Sequence, residues 1–445
     1  MDKTANNNSL LAKIVSVAAK VEPREMAGVV AGFFLYFFVL GSYFMVRPVR
    51  ETIATMLGAE EVADLWLWTA VFSIALIPIW GWAIGRFRRK VLLPSVYGGV
   101  AVVLVILGIA MSGGTEVDHT FGKFFYVWIS VLNLMLVSIF WAFLLEMFSR
   151  EQTKRLFGIM AAGGTLGALV GPFTTRLVAD SLGDSGILFL GAAGFVGAIV
   201  CQLVLINIWQ PTGPTAASED AKNKGVGGNP FAGITIVLKS PYLLGIALFV
   251  VLLSAANTIL YFEQLRLVAE TFPDRAARTE VFATIDIVVQ SLTILSQLFL
   301  TGRVASKLGV RSLLIIVPIA MVIGFIALAA VNIFAVFVVV FVARRWGEYA
   351  FVRPGREMLF SSLDTESKYK AKSFIDVPVY RAADYVGAQA KTAVDVVTAS
   401  PVASLIAGAA LAAAWGVVGW HLGRKHDDVA PTAKAPAGAA AAAAE

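Results

Sequence analysis

The chain has 445 residues, of which 58% are hydrophobic and only 15% charged, with 30 Phe and 10 Trp. A soluble domain has no interior for that much apolar surface, so the class is a polytopic membrane protein. The net charge of +6 falls mostly on loops between apolar stretches, where it reports topology and is no argument for nucleic-acid binding.

In chain order, residues 1–25 are polar and mixed in charge and are expected to form a cytoplasmic N-terminal segment. No cleavable leader is expected, because the first apolar stretch is too long for an h-region. Apolar stretches of spanning length follow at 26–50, 63–85, 91–112, 123–148, 156–180, 186–209, 241–266, 280–302, 310–332, 334–360, 372–398 and 402–422. Each has about 20 or more residues, enough to cross ~30 Å of hydrocarbon as a helix. Period-two alternation is absent, which excludes a β-barrel. The expected fold is therefore an all-α polytopic membrane protein with 12 transmembrane helices in a 6+6 pseudo-symmetric bundle. Residues 26–209 would be the first six-helix bundle and 231–422 the second. The Gly/Pro/Ala-rich stretch 210–230 would link them in the cytoplasm, and 423–445 would be a disordered cytoplasmic tail.

Basic loops such as "RFRRK" (86–90), "REQTKR" (150–155) and "KYKAK" (368–372) alternate with acidic or neutral ones such as "GAEEVAD" (58–64) and "GGTEVDH" (113–119). This positive-inside pattern places both termini in the cytoplasm, in a bacterial inner membrane. The single Cys201 offers no disulfide framework, and His119, His421 and His426 are scattered. No metal, cofactor or catalytic grouping is implied, so the expectation is a transporter and not an enzyme. "GGTLG" (163–167) suits helix packing better than phosphate cradling. Short loops leave no partner-binding domain for a scaffold, and a monomer is expected.

Ionisable residues inside spans are functional candidates, because each is costly unless paired or wetted. The string Arg-Pro-x-Arg-Glu occurs twice, in "MVRPVRETIA" (45–54) at the outer end of the first span and in "FVRPGREMLF" (351–360) in the tenth. In each copy the first Arg and the Glu are four apart, so Arg47 is expected to pair with Glu51 and Arg353 with Glu357. Arg50 and Arg356 then have no acid four residues on, and a five-donor guanidinium suits phosphate or carboxylate. Arg345, Tyr349, Arg353 and Arg356 would share one stripe of the tenth helix, facing a water-filled cavity. Asn257 and Tyr261 in the seventh span and Glu146 in the fourth complete the expected substrate contacts. Glu51, Glu357, Glu263, Asp286, Gln290, Arg381 and Asp384 are candidates for ion coupling or for holding helices together. Arg266, Lys391 and Asp395 can instead snorkel to headgroups.

Two loops, "GWAIGRFRRKVLL" (81–93) and "GRVASKLGVRSLL" (302–314), resemble the Gly-x-x-x-Asp-Arg-x-Gly-Arg-Arg signature of the major facilitator superfamily. Within it, "RPVRET" (47–52), "FWAFLLE" (140–146) and "RPGREMLFSSLDTESKYKAKSFID" (353–376) resemble the ATP/ADP antiporter family of plastids and intracellular bacteria. That resemblance implies nucleotide exchange by alternating access. It puts Arg50 and Arg356 in place of two lysines that hold phosphates, and Glu146 in place of the fourth-helix Glu. The chain departs from the family where Ala383, Asp384, Tyr385 and Val386 replace a Gly-Lys-Ser-Gly string. The expected partners are the lipid bilayer and a small-molecule substrate, an organic anion of nucleotide type. The alternative is proton-coupled movement of an uncharged or zwitterionic compound, with Glu146, Glu263, Asp286 and Asp384 as proton carriers.

Overall fold

A computed structural model describes residues 21–87, 89–112, 118–209, 215, 232–362, 365–398 and 400–429. All regular structure among these residues is helical. The first helices are α1 (Met26–Leu57), α2 (Ala59–Arg86), α3 (Arg89–Ser112), α4 (His119–Met147) and α5 (Arg150–Ile208). After the short α6 (Ala232–Lys239) come α7 (Pro241–Thr271), α8 (Arg275–Phe299) and α9 (Thr301–Ala330). Two spans then contain π-helical turns. The tenth is α10 (Phe334–Gly347), a π turn at Glu348–Val352, and α11 (Arg353–Leu359). The eleventh is α12 (Thr365–Phe374), a π turn at Ile375–Val379, and α13 (Tyr380–Thr398). The last is α14 (Pro401–Val429).

Among the described residues seven helical runs are long and apolar enough to cross a membrane, and two of them are long enough to cross twice. Arg155–Ile208 and Arg275–Ala330 have 54 and 56 residues, far beyond the ~20 that one crossing needs. Each contains a glycine in the left-handed region, Gly183 at φ 60° and Gly309 at φ 77°, where a Cβ would be strained. Several helix ends depart from the expected limits, among them those at the first charged string and at the tail. The first Arg-Pro-x-Arg-Glu string does not end its helix, because α1 continues to Leu57 with Ile53, Ala54 and Thr55 buried. The last helix runs through Val429, so residues 423–429 of the expected disordered tail are helical. The linker apart from Thr215, and residues 430–445, lie outside the described residues.

The chain divides into two compact units. The first comprises residues 1–53, 76–225 and 274–286, and the second 54–75, 226–273 and 287–445. The first thus takes the opening turns of α8, and the second takes the end of α1 and the first half of α2.

In the first unit α1 and α5 touch backbone to backbone. A Cβ on Gly163, Gly167 or Gly171 would stand 2.1, 2.2 or 2.4 Å from the carbonyl oxygens of Phe33, Phe37 and Gly41. Without a water-driven hydrophobic effect between helices in lipid, such close approach maximises dispersion. Where α1 begins, Glu25 accepts from Arg155 at 2.8 Å and Gln152 at 3.0 Å. Burial pushes the Glu25 carboxyl up, but these bonds and the Glu22 backbone N–H outweigh it and hold its pKa below the usual glutamate value.

In the second unit α9 lies along α14, and α7 packs on α13 and α14. After the Gly309 turn, the Asp427 carboxylate of α14 accepts from Val310 N at 2.9 Å and Arg311 N at 3.1 Å. It satisfies two donors that a helix start would otherwise leave open.

Candidate functional site

In the first unit the charged end of α1 meets α4 and the opening turns of α8. Arg47 Nη1 donates to Asp286 Oδ1 at 2.7 Å, and the Arg47 guanidinium lies 3.7 Å from Glu51. Arg50 pairs with its neighbour Glu51, donates to Ser130 Oγ at 3.1 Å, and sits 5.4 Å from the Tyr126 ring centre. Thr52 and Thr279 share a hydroxyl hydrogen bond of 2.7 Å. Asp184, beside the Gly183 turn, takes Arg275 and the Thr279 hydroxyl. The expected Arg47–Glu51 pair therefore survives only as a long contact, and Arg50 holds the acid instead. Adjacent residues on a helix normally point apart, but a long guanidinium can fold back to a buried carboxylate when no water competes.

The second unit holds the other copy, and there the expected pairing fails. Arg353 donates through Nε to Glu348 Oε1 at 3.3 Å and lies over the Tyr349 ring at 4.4 Å. Glu357 pairs with Lys372 at 2.6 Å, and Arg356 with Asp376 at 3.1 Å. The cause is the π turn at Glu348–Val352. One extra residue in that turn brings i and i+5 together, so Glu348 replaces Glu357 as the acid within reach of Arg353. The turn also breaks the single 3.6-period stripe expected for Arg345, Tyr349, Arg353 and Arg356.

Pro354 helps to place the π turn. A proline has no N–H to return to the preceding turn. Nearby carbonyls are caught by side chains of neighbouring helices: Ala350 O accepts from Thr301 Oγ1 at 2.8 Å, and Tyr349 O from Gln297 Nε2 at 3.2 Å. In α1, Met45 O, close before Pro48, accepts from Thr175 Oγ1 at 2.6 Å.

Glu348 is the hub of this polar centre. Its side chain is only 9% exposed, and it takes Arg344 at 3.0 Å as well as Arg353, with the Asn257 amide at 3.4 Å. Two guanidiniums thus share one carboxylate. Arg353 is the open member of the group, with its side chain 54% exposed. Among the described residues neither of its Nη groups donates to another side chain. Arg345 is buried and lies 5.8 Å from the Phe341 ring.

The remaining candidates spread along the unit. Asp384 accepts from Ser254 Oγ at 2.5 Å and faces Arg381 at 3.5 Å, a pairing that links α7 and α13. Glu263 is buried and bound by Arg266 at 2.7 Å, and Tyr261 packs 5.3 Å from Trp66. Gln290 is half-buried on α8, and in the first unit Glu146 is half-buried near the end of α4. Ser130, Tyr126 and Thr279 carry no sequence signal as site residues, while Arg344, Glu348 and Asp376 stand among the charges of the tenth span and of the 353–376 block without an assigned role. The spacing of Arg344 and Glu348, four apart, could have found the hub. Nothing local announces Ser130, Tyr126 or Thr279, which arrive from other helices.

The family model described as the Major Facilitator Superfamily matches residues 32–343. Among curated relatives, Multidrug resistance protein MdtG of Salmonella choleraesuis (strain SC-B67) is 26% identical over 171 residues, 35% of this chain and 39% of its own. MdtG of Escherichia coli O6:K15:H31 is 25% identical over 185 residues, 38% and 42% of the two chains. The chain thus spans about two fifths of the length of the curated relatives it matches. Among solved structures, a mutant form of the nucleoside transporter NupG aligns with a TM-score of 0.61 at 14% identity, over 90% of this chain and 99% of that one. A bacterial homologue of the iron transporter ferroportin aligns at 0.59 and 14%, over 92% and 100%. At such identities the likeness is one of fold. The family match, extending over most of the chain, carries the conclusion: this protein belongs to the Major Facilitator Superfamily and is a multi-pass membrane protein.

Proposed function

We propose that this transporter moves an organic anion by exchange, and that a phosphorylated nucleoside of the ATP/ADP type is the first candidate. The observation that carries the reading is Arg353, held in place by Glu348 and the Tyr349 ring while both Nη groups stay uncommitted. A guanidinium fixed through Nε keeps its Nη pair preorganised for a bidentate phosphate or carboxylate. Glu348 meanwhile balances the charge of the centre, and an entering anion would take its place on Arg344 and Arg353. Arg50 and Arg356 would act as supporting cations whose acids, Glu51 and Asp376, hold them until substrate arrives. The likeness of residues 353–376 to nucleotide antiporters supports the same substrate class. Lys and Arg enrichment in alternate loops supports both termini in the cytoplasm, and the reading takes the protein as a monomer in a bacterial inner membrane.

Purified protein in proteoliposomes, loaded with unlabelled nucleotide, should take up labelled ATP or ADP and lose uptake when the internal pool is omitted. Arg353→Ala should lower the rate by more than about tenfold, the scale of one lost charge-assisted contact. Arg50→Ala and Arg356→Ala should also lose transport while still inserting. Absence of transport of every phosphorylated metabolite tried would end the nucleotide reading.

A second reading is proton-coupled export of an uncharged or zwitterionic compound. It is favoured by the relatives named multidrug resistance proteins and by Asp286 and Asp384 inside spans. Efflux that collapses with a protonophore and in Asp286→Asn would select it.

A further inference from the structure

The second unit contains a cavity of about 490 Å³ that lies apart from the Glu348 centre. Ala255 and Ile259 of α7 form its floor, Val386 and Ala390 of α13 one wall, and Ala407 and Leu411 of α14 the other. Its lining is almost wholly apolar. The α13 wall ends in an exposed apolar stripe, with Val386 62% and Val397 83% exposed. In a membrane-spanning chain such a stripe faces acyl chains.

One feature of the lining does not fit an apolar filler. Lys391 lines the cavity, with its side chain only 8% exposed. It pairs with Asp395, one turn further along α13, and lies 5.7 Å from the Phe262 ring centre. Asp395 is held in turn by the Ser404 hydroxyl at 2.5 Å, at the start of α14. An ammonium has three donors, and Asp395 engages one of them. Lys391 therefore presents a buried, oriented cation with further N–H groups at one end of an otherwise greasy slot. That end is near the turn from α13 to α14, where a crossing helix reaches headgroup depth. From Lys391 back to Val379, also in the lining, α13 and its π turn rise ~18 Å at 1.5 Å per residue. The slot has the length and polarity of a lipid chain with its head at one end.

We infer that this groove binds a phospholipid with an anionic headgroup, its phosphate on Lys391 and one acyl chain between α13 and α14 against α7. A zwitterionic headgroup would bring its own cation toward Lys391 and gain less. Asp395, itself held by the Ser404 hydroxyl, fixes the lysine head in that part of the slot.

Native mass spectrometry of the full-length protein in detergent, with phosphatidylglycerol or phosphatidylcholine added at equal ratio, tests the assignment. Wild type should bind phosphatidylglycerol about fivefold more tightly, the scale of one basic residue beside an anionic headgroup. Lys391→Gln should abolish the preference and Lys391→Arg should keep it. Ala390→Trp, which fills the slot from a wall position, should lower binding of both lipids. Equal binding of the two lipids by wild type, a preference that survives in Lys391→Gln, or a dimer peak that lipid does not displace would each overturn the proposal.

Discussion

The two Arg-Pro-x-Arg-Glu strings are nearly the same sequence and do different things. In α1 the helix stays regular, and both arginines find acids within one cluster, Arg47 on Asp286 and Arg50 on Glu51. In the tenth span a π turn lies immediately before the string. It hands Arg353 to an acid outside the string, sends Arg356 to Asp376, and leaves Glu357 to Lys372. The first copy is closed on itself and its neighbours. The second is opened out, and one of its guanidiniums is more than half exposed. A local motif therefore specifies which charges are present, while the helix period beside it decides which of them meet.

The sharpest way to break this comparison is to remove the hub of each copy. Glu348→Ala strands Arg344 and Arg353 together, and losing one partner of a buried pair costs roughly 3–5 kcal/mol. Glu51→Ala should cost clearly less, because Arg47 keeps Asp286 and Arg50 keeps Ser130 and the Tyr126 ring. Denaturant unfolding in detergent reads both, and equal losses would mean that the two copies are energetically alike. A smaller effect tests the π turn. Thr301→Val removes the hydroxyl on Ala350 O and should cost about 1 kcal/mol. It should also speed amide exchange across residues 348–352 and leave α1 unchanged. At the Gly309 turn, Asp427→Ala removes a helix cap and should cost about 1 kcal/mol, seen as a lower unfolding midpoint.

The smallest expected effect is a pH dependence confined to the first unit. The Glu25 carboxyl sits below its usual value in the folded protein, so the unfolded chain binds its proton more readily. Its stabilisation is fully present above the ordinary glutamate value and is lost as pH falls through the depressed one. Thermal unfolding followed on the acid side of that value should weaken in wild type. It should weaken less in Glu25→Gln, and identical profiles would remove the Arg155 latch from the account.

Much of the fold is legible in the sequence because span length and apolarity are local properties. The all-α membrane-spanning class follows from hydrocarbon thickness, including the second crossings contained in two long helical runs. Helix ends are less legible: α1 overruns its expected limit because burial of Ile53 and Ala54 outweighs the nearby proline and charges. The site is readable as a roster of charges but not as a network. Arg47 and Asp286 are 239 residues apart, and no spacing rule relates them. Spacing assigns Arg353 to Glu357 only if a helix keeps 3.6 residues per turn through Glu348–Val352, and this one does not. Lys391 reads as a snorkelling end group, and its burial against Phe262 depends on α7, which local sequence does not reveal.

The contact between α1 and α5 has a mechanical consequence. Gly163, Gly167 and Gly171 mesh with Phe33, Phe37 and Gly41 at matched four-residue intervals, like two toothed racks seated on each other. Racks so engaged cannot slide by less than a full tooth, about 6 Å along a helix. Any rearrangement of this unit must therefore carry the fifth crossing with α1 as one lever. The charges at the far end of α1 are then moved by everything that pushes on α5.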